Sequence, residues 1–423
     1  MDIISNARKA DIITVIVIFI SSFILYYLGC KILLNNGFYQ EINIAFDLDQ
    51  SWYFDSIGRD TSEWIYKNAT DTRPLVIKHP FIYLYYYIVL ALNMTGMPAD
   101  LSVITLSQIF HSGSLVVSYF IFRSMGRNIL HSSFLTLGLA GTSAYISTGL
   151  VLDIYSLSIF WISIVFLIVS LASYQKYECP VWLRALVSIM AIGTTSYLIF
   201  LVLLMEVFLV KNSDGIFFNN KLYQQLLRLL VLGFLVLSVV YYQVLFDIIN
   251  APISILKKTY WAVNRPGQKE SLFQVITVFS LFSIVAPEIS NIILPGDITM
   301  IDLREINYHY IGWVAVILIM ISIFLMIMKN EYHPVIVLSL VWVSFNFLFH
   351  SIYQYRGSLF LYSGHFILAF WIIFTAQNKL FICKSEWYIN LQKILDRIFI
   401  FVLPFIVWAN NLYLYQEIIA ISK

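Results

Sequence analysis

Long apolar segments decide what this chain can fold into. They recur at residues 12–34, 101–122, 130–149, 155–171, 227–249, 310–328, 335–349, 363–374 and 399–414, and two shorter ones flank Thr194-Thr195-Ser196. A helix of about 20 apolar residues crosses a hydrocarbon core about 30 Å thick. In lipid each backbone N–H and C=O must find its partner within the protein, and a helix does this within one segment. Composition agrees: the 423 residues are 60% hydrophobic and 12% charged, against about 45–50% and about 25% in ordinary globular chains. Mean hydropathy is +0.80. The expected fold is an all-α polytopic membrane protein, a single membrane domain over 1–423 with about eleven transmembrane helices.

Several classes drop out at once. A net charge of +2 and no Lys/Arg-rich run argue against nucleic acid as a partner. Cys30, Cys179 and Cys383 are too far apart to suggest a disulfide or zinc framework, and read as small apolar residues. No cofactor is indicated, and no metal-ligand set, though a divalent ion is compatible with the acids described below. The apolar run 12–28 is too long for a signal-peptide core and lacks an A-x-A site. It is expected to be a first transmembrane helix, its start held inside by Arg8 and Lys9.

Two segments, 79–96 and 272–294, set the topology. If both cross the membrane, Arg123, Arg127, Lys176 and Arg184 fall outside. If neither crosses fully, those residues and Lys211, Lys221, Arg228, Lys329, Lys379, Lys384, Lys393 and Arg397 share the side of Arg8 and Lys9, as the positive-inside bias prefers. Both are therefore read as interfacial or re-entrant: the first because Tyr83, Tyr85, Tyr86 and Tyr87 suit headgroup depth, the second because Pro287-Glu288 breaks it. Two long connections then share the outer face, a first loop over 35–100 with juxtamembrane helices and a second over 250–309. Glu206 and Asp247 lie near helix ends, where snorkelling or capping accounts for them.

The first loop carries residues 46–60, FDLDQSWYFDSIGRD, with Asp47, Asp49, Asp55 and Asp60. A solvated loop face accounts for acids alone. A carboxylate beside an apolar surface gains basicity by desolvation and suits deprotonation of a hydroxyl. Asp49 and Tyr53 form a D-Q-x-x-Y pattern, and Lys78-His79-Pro80 follows where the chain returns to the membrane.

This order of parts resembles the GT-C superfamily of membrane glycosyltransferases, which use polyprenyl-phosphate sugars. Protein O-mannosyltransferases and aminoarabinose transferases place a D-E-x-x-Y-like motif in the first outer loop, then a basic residue or His before Pro. The matches are Asp49-Gln50-Ser51-Trp52-Tyr53 and His79-Pro80-Phe81-Ile82. Gln50 stands where the family has an acid, and Phe81 where it has a second Pro. The resemblance implies a GT-C-like fold, and Asp49 as catalytic base with Asp47 as its competitor. It also bears on Leu152-Asp153-Ile154-Tyr155, an acid-bearing hairpin turn or a mere polar tip, and on Gly193-Thr194-Thr195-Ser196, a cavity-lining helix break or a packing kink. A third landmark is 350–365, HSIYQYRGSLFLYSGH, an outer loop with His350, Arg356, Tyr362 and His365.

In the second loop Lys257, Lys258, Arg265 and Lys269 surround Tyr260 and Trp261. A basic patch on the translocated side asks for an anionic partner: a polyprenyl phosphate held by charge-assisted hydrogen bonds, or lipid headgroups. Lys78, His79 and Arg356 are further candidates for the donor phosphate. The resemblance thus implies a bacterial inner-membrane enzyme with its site facing the periplasm. It would move one sugar from a polyprenyl phosphate to a glycan or lipid-linked glycan, with inversion. In length and character the chain is similar to phage-type serotype-converting O-antigen glucosyltransferases, which makes undecaprenyl-phosphate glucose the favoured donor. A flippase for lipid-linked saccharide and an O-antigen polymerase or ligase are the rival readings.

Overall fold

The computed structural model describes residues 9–40, 45–46, 50–58, 79, 81–214, 271–294, 298–327, 333–352, 359–375 and 386–421. About 82% of these described residues are helical. In chain order the longer elements are α1 (Lys9–Asn35), α2 (Gln50–Gly58), α3 (Ile82–Asn93), α4 (Ala99–Ser124), α5 (Ile129–Ala140), α6 (Ser143–Leu150), α7 (Tyr155–Gln175), α8 (Val181–Thr194) and α9 (Ile199–Asp214). There follow α10 (Leu272–Thr277), β1 (Ser290–Leu294), β2 (Ile298–Asp302), α11 (Tyr310–Ile327), α12 (Pro334–Ile352), α13 (Ile367–Thr375), α14 (Glu386–Arg397) and α15 (Leu403–Ile421). The expected helix over 227–249 and Asp247 lie outside the described residues.

Among the described residues five stretches are long and apolar enough to cross a membrane on their own: Lys9–Asn35, Ala99–Ser124, Tyr155–Gln175, Pro334–Ser351 and Lys393–Ala420. The last joins α14 to α15 through a π turn at Ile398–Val402. Other apolar helices are shorter. On α1, Ile13, Val17, Ile20 and Leu28 are each at least half exposed, a stripe that suits lipid contact and not water. The interior of the bundle is built on α4 and α7, whose buried serines let the backbones approach closely. Three of them are satisfied within their own helix: Ser107 donates to the Val103 carbonyl at 2.8 Å, Ser118 to Ser114 at 2.7 Å and Ser163 to Ile159 at 2.8 Å.

The single helix expected over 130–149 is two. Gly141 leaves room for the Trp408 indole, which a Cβ would meet at 2.5 Å, and Thr142 caps α6. The segment expected to be broken at Pro287-Glu288 stops earlier. α10 starts from a Ser271–Gln274 capping box and runs through a π turn to Phe282, giving about 16 Å of rise, half a bilayer. The two breaks face each other. Ile284 O accepts from Ser143 N at 3.2 Å and Ser283 O from Ala144 N at 3.0 Å. Asn411 of α15 closes the remaining groups, donating to Gly141 O at 2.8 Å and Ile284 O at 2.6 Å and accepting from Ala286 N at 2.8 Å. Irregular backbone at depth is thus paired inside the protein.

After Pro287 the chain forms an antiparallel hairpin, Ser290 opposite Asp302 and Leu294 opposite Ile298, a local exception to the helical expectation. Ala45 bridges to Ile301 in parallel, so the two long connections meet. The tyrosines of α3 divide: Tyr87 is 60% exposed, as headgroup depth would ask, but Tyr85 is fully buried. Glu206 neither snorkels nor caps. It forms a buried ion pair with Arg184 at 2.6 Å, between α8 and α9.

One end of the bundle gathers charge. Arg123 pairs with Asp11 at 2.8 Å and Arg127 with Asp396 at 3.9 Å, so the starts of α1 and α5 and the ends of α4 and α14 lie together. Among the described residues, candidate site residues lie toward the other end of α4, where Tyr53 meets Ser107.

Candidate functional site

The acidic stretch is anchored on both sides of Asp47 and Asp49, which themselves lie outside the described residues. Phe46 is buried, with its N–H donated to Ile301 O at 2.9 Å and its ring 4.8 Å from that of Phe360. It has φ +55, a left-handed conformation that costs a bulky residue roughly 1–2 kcal/mol. Such strain persists only where surrounding structure enforces it. Gln50 is buried at the start of α2.

On α2, Tyr53 is fully buried and shares a 2.9 Å hydrogen bond with Ser107 of α4. Its hydroxyl lies within electrostatic reach of Asp153. Asp153 is 5% exposed in the turn between α6 and α7, where its Oδ1 accepts from Ile154 N at 2.5 Å. Asp55 is exposed. The D-x-x-x-Y stretch and the acid-bearing turn therefore belong to one neighbourhood, while Asp55 points out of it.

The His-Pro segment docks on the break after α8. Phe81 N donates to Gly193 O at 2.6 Å, and the Phe81 ring occupies the space a Cβ on residue 193 would need, 2.3 Å away. His79 Nδ1 lies 2.9 Å from Thr194 O. A carbonyl only accepts, so Nδ1 is the protonated nitrogen and Nε2 carries the lone pair of the neutral ring. A directed hydrogen-bond chain holds Thr194: Trp161 Nε1 donates to Tyr85 Oη at 3.0 Å, Tyr85 to Thr194 Oγ1 at 2.5 Å, and Thr194 to Met190 O at 2.8 Å. Thr195 shares a 2.7 Å bond with Ser158. The Gly193–Ser196 break is thus a docking point for the end of the first long connection.

The 350–365 landmark closes the neighbourhood. His350 stacks on Tyr362 with ring centroids 3.9 Å apart. His365 lies 4.7 Å from Tyr155 and 5.1 Å from Tyr197, centroid to centroid. Both His350 and His79 are within electrostatic reach of His365. Among the described residues no three His, Cys, Asp or Glu side chains form a metal-holding group. Lys78, Lys257, Lys258, Arg265 and Arg356 lie outside the described residues.

Tyr53, Asp153, His79, His350, Tyr362 and His365 are therefore brought to one end of the bundle. Sequence reading missed Ser107, Tyr197 and Trp161, which look like ordinary members of apolar helices. It also missed Asn411, although an Asn-Asn pair at 410–411 inside a hydrophobic helix is a visible signal of interior pairing. An apolar groove of about 380 Å³, walled by Ile18, Leu25, Phe134, Leu137, Phe405 and Trp408, opens elsewhere on the bundle. No acid, base or histidine lines it, so it suits an acyl chain and not the chemistry.

No family model matches the chain, and no curated protein matches it.

Proposed function

We propose that the chain is a GT-C-like membrane glycosyltransferase, its site at the end of the bundle where the two long outer connections meet. The carrying observation is convergence. Tyr53, Asp153, His79 and the Thr194 break, and the Tyr362–His365 turn come from separate parts of the sequence. The strained Phe46 immediately before Asp47 adds weight, since enforced backbone strain clusters at functional sites.

In this reading the donor is a polyprenyl-phosphate sugar, glucose favoured, and the acceptor a hydroxyl of a cell-surface glycan such as lipid-linked O-antigen. Asp49, or Asp47, takes the hydroxyl proton as the oxygen attacks the anomeric carbon. The bond from that carbon to the phosphate oxygen breaks with inversion, and the lipid phosphate leaves with the electron pair. Lys78, Lys257, Lys258, Arg265 and Arg356 stabilise its charge. In this reading the site faces the periplasm of a bacterial inner membrane and the basic end faces the cytoplasm, as the positive-inside bias prefers.

Asp49→Asn tests the reading in membranes supplied with polyprenyl-phosphate glucose and isolated glycan acceptor. Transfer is expected to fall by at least about a hundredfold, with unchanged amounts of inserted protein. An Asp49→Asn/Asp47→Asn double variant with full activity would remove both acids from the mechanism.

A further inference from the structure

His365 is 4% exposed, and neither Nδ1 nor Nε2 has a hydrogen-bond partner among the described residues. The Ser363 hydroxyl, 1% exposed, is equally unmatched among them. A neutral imidazole offers one N–H and one lone pair. Leaving such groups buried and unmatched costs about 1–3 kcal/mol each, which an apolar side chain of similar volume avoids. Packing therefore does not explain a histidine here.

Its surroundings indicate what would match it. The rings of Tyr155 and Tyr197 lie 4.7 and 5.1 Å from the imidazole, and His350 and His79 are within electrostatic reach. Trp342 Nε1 donates to the His365 carbonyl at 2.8 Å, holding the turn in place. Among the described residues, the side chains named around the ring are aromatic, imidazole and hydroxyl, with no Lys or Arg. A phosphate would ask for cations. A hexose places its C–H faces on aromatic rings and exchanges hydrogen bonds with uncharged donors and acceptors.

We propose that His365 and Ser363, walled by Tyr155 and Tyr197, form a hexose subsite that grips the hydroxyls of the donor sugar. This rests on the glycosyltransferase reading and extends it: the sugar is recognised here, and the phosphate by the basic residues of the loops. The imidazole nitrogens are sealed from solvent, so sugar binding has to displace part of what covers them.

The test uses full-length protein in membranes, with polyprenyl-phosphate glucose and its monodeoxy analogues as donors. His365→Phe keeps a flat ring and loses both nitrogens; His365→Gln keeps an amide donor and acceptor. Wild type is expected to discriminate against at least one deoxy donor by about tenfold or more in kcat/KM. His365→Phe should raise the donor KM by about tenfold and abolish that discrimination, and His365→Gln should retain part of it. If His365→Phe fails to fold, Ser363→Ala and His365→Gln carry the test, each with a partial loss of discrimination. Wild-type KM and discrimination in the variants that fold would overturn the subsite while leaving the transferase reading intact. Failure of wild type to transfer hexose from any polyprenyl phosphate would overturn the transferase reading, and the subsite with it.

Discussion

Burial decides the state of Tyr53. Removal from water pushes its hydroxyl above the ordinary phenol range; the Ser107 hydrogen bond opposes this, and the Asp153 carboxylate adds to the rise. Tyr53 is therefore a neutral phenol at any physiological pH, a hydrogen-bonding post and not a base. Tyr53→Phe should lower stability by about 1 kcal/mol, read as a shift in thermal unfolding of the purified protein. Ser107 keeps its bond to Val103 O, so the substitution orphans no hydroxyl. The D-Q-x-x-Y spacing was visible in the sequence, but not that the tyrosine faces in and Asp55 faces out. That division follows from one face of a short helix packing on α4, which spacing alone does not orient.

At the scale of elements, the organising devices are breaks and not spans. The Gly193–Ser196 break was legible from its residue types; its partner was not, because His79 lies 115 residues away in the chain. The break at Gly141 was hidden inside an apolar run. It holds because Ser283–Ala286 offers carbonyls to Ser143 and Ala144, and Asn411 pairs what remains. Asn411→Leu leaves the Gly141 carbonyl and the Ala286 N–H without their Asn411 partner, at about 1–3 kcal/mol each, and takes one of two donors from the Ile284 carbonyl. A loss of several kcal/mol is expected, measured as reduced folded yield and a lower Tm in detergent. Leu412→Ala, at a 48% exposed position on the same helix, should cost under about 1 kcal/mol. Equal losses in the two variants would show that the Asn411 network is not what holds the breaks.

For the whole molecule, the two long connections meet through the Ala45–Ile301 bridge and the Phe46–Ile301 hydrogen bond. α10 and its π turn rise only about 16 Å, half the thickness of a bilayer core. Single cysteines at Ser271 and Asp297 should therefore react with an impermeant thiol reagent from the same side of intact membrane vesicles; labelling from opposite sides would show that 272–294 crosses. The sequence by itself determined the solvent, the helical class and the gathering of Arg123 and Arg127 at one end, because lipid enforces helices and charge bias wherever apolar runs are long. Only the tertiary structure decided where helices break and which distant residues share a site. Those outcomes depend on unpaired backbone groups finding partners a hundred or more residues away, and composition and periodicity carry no record of such pairings.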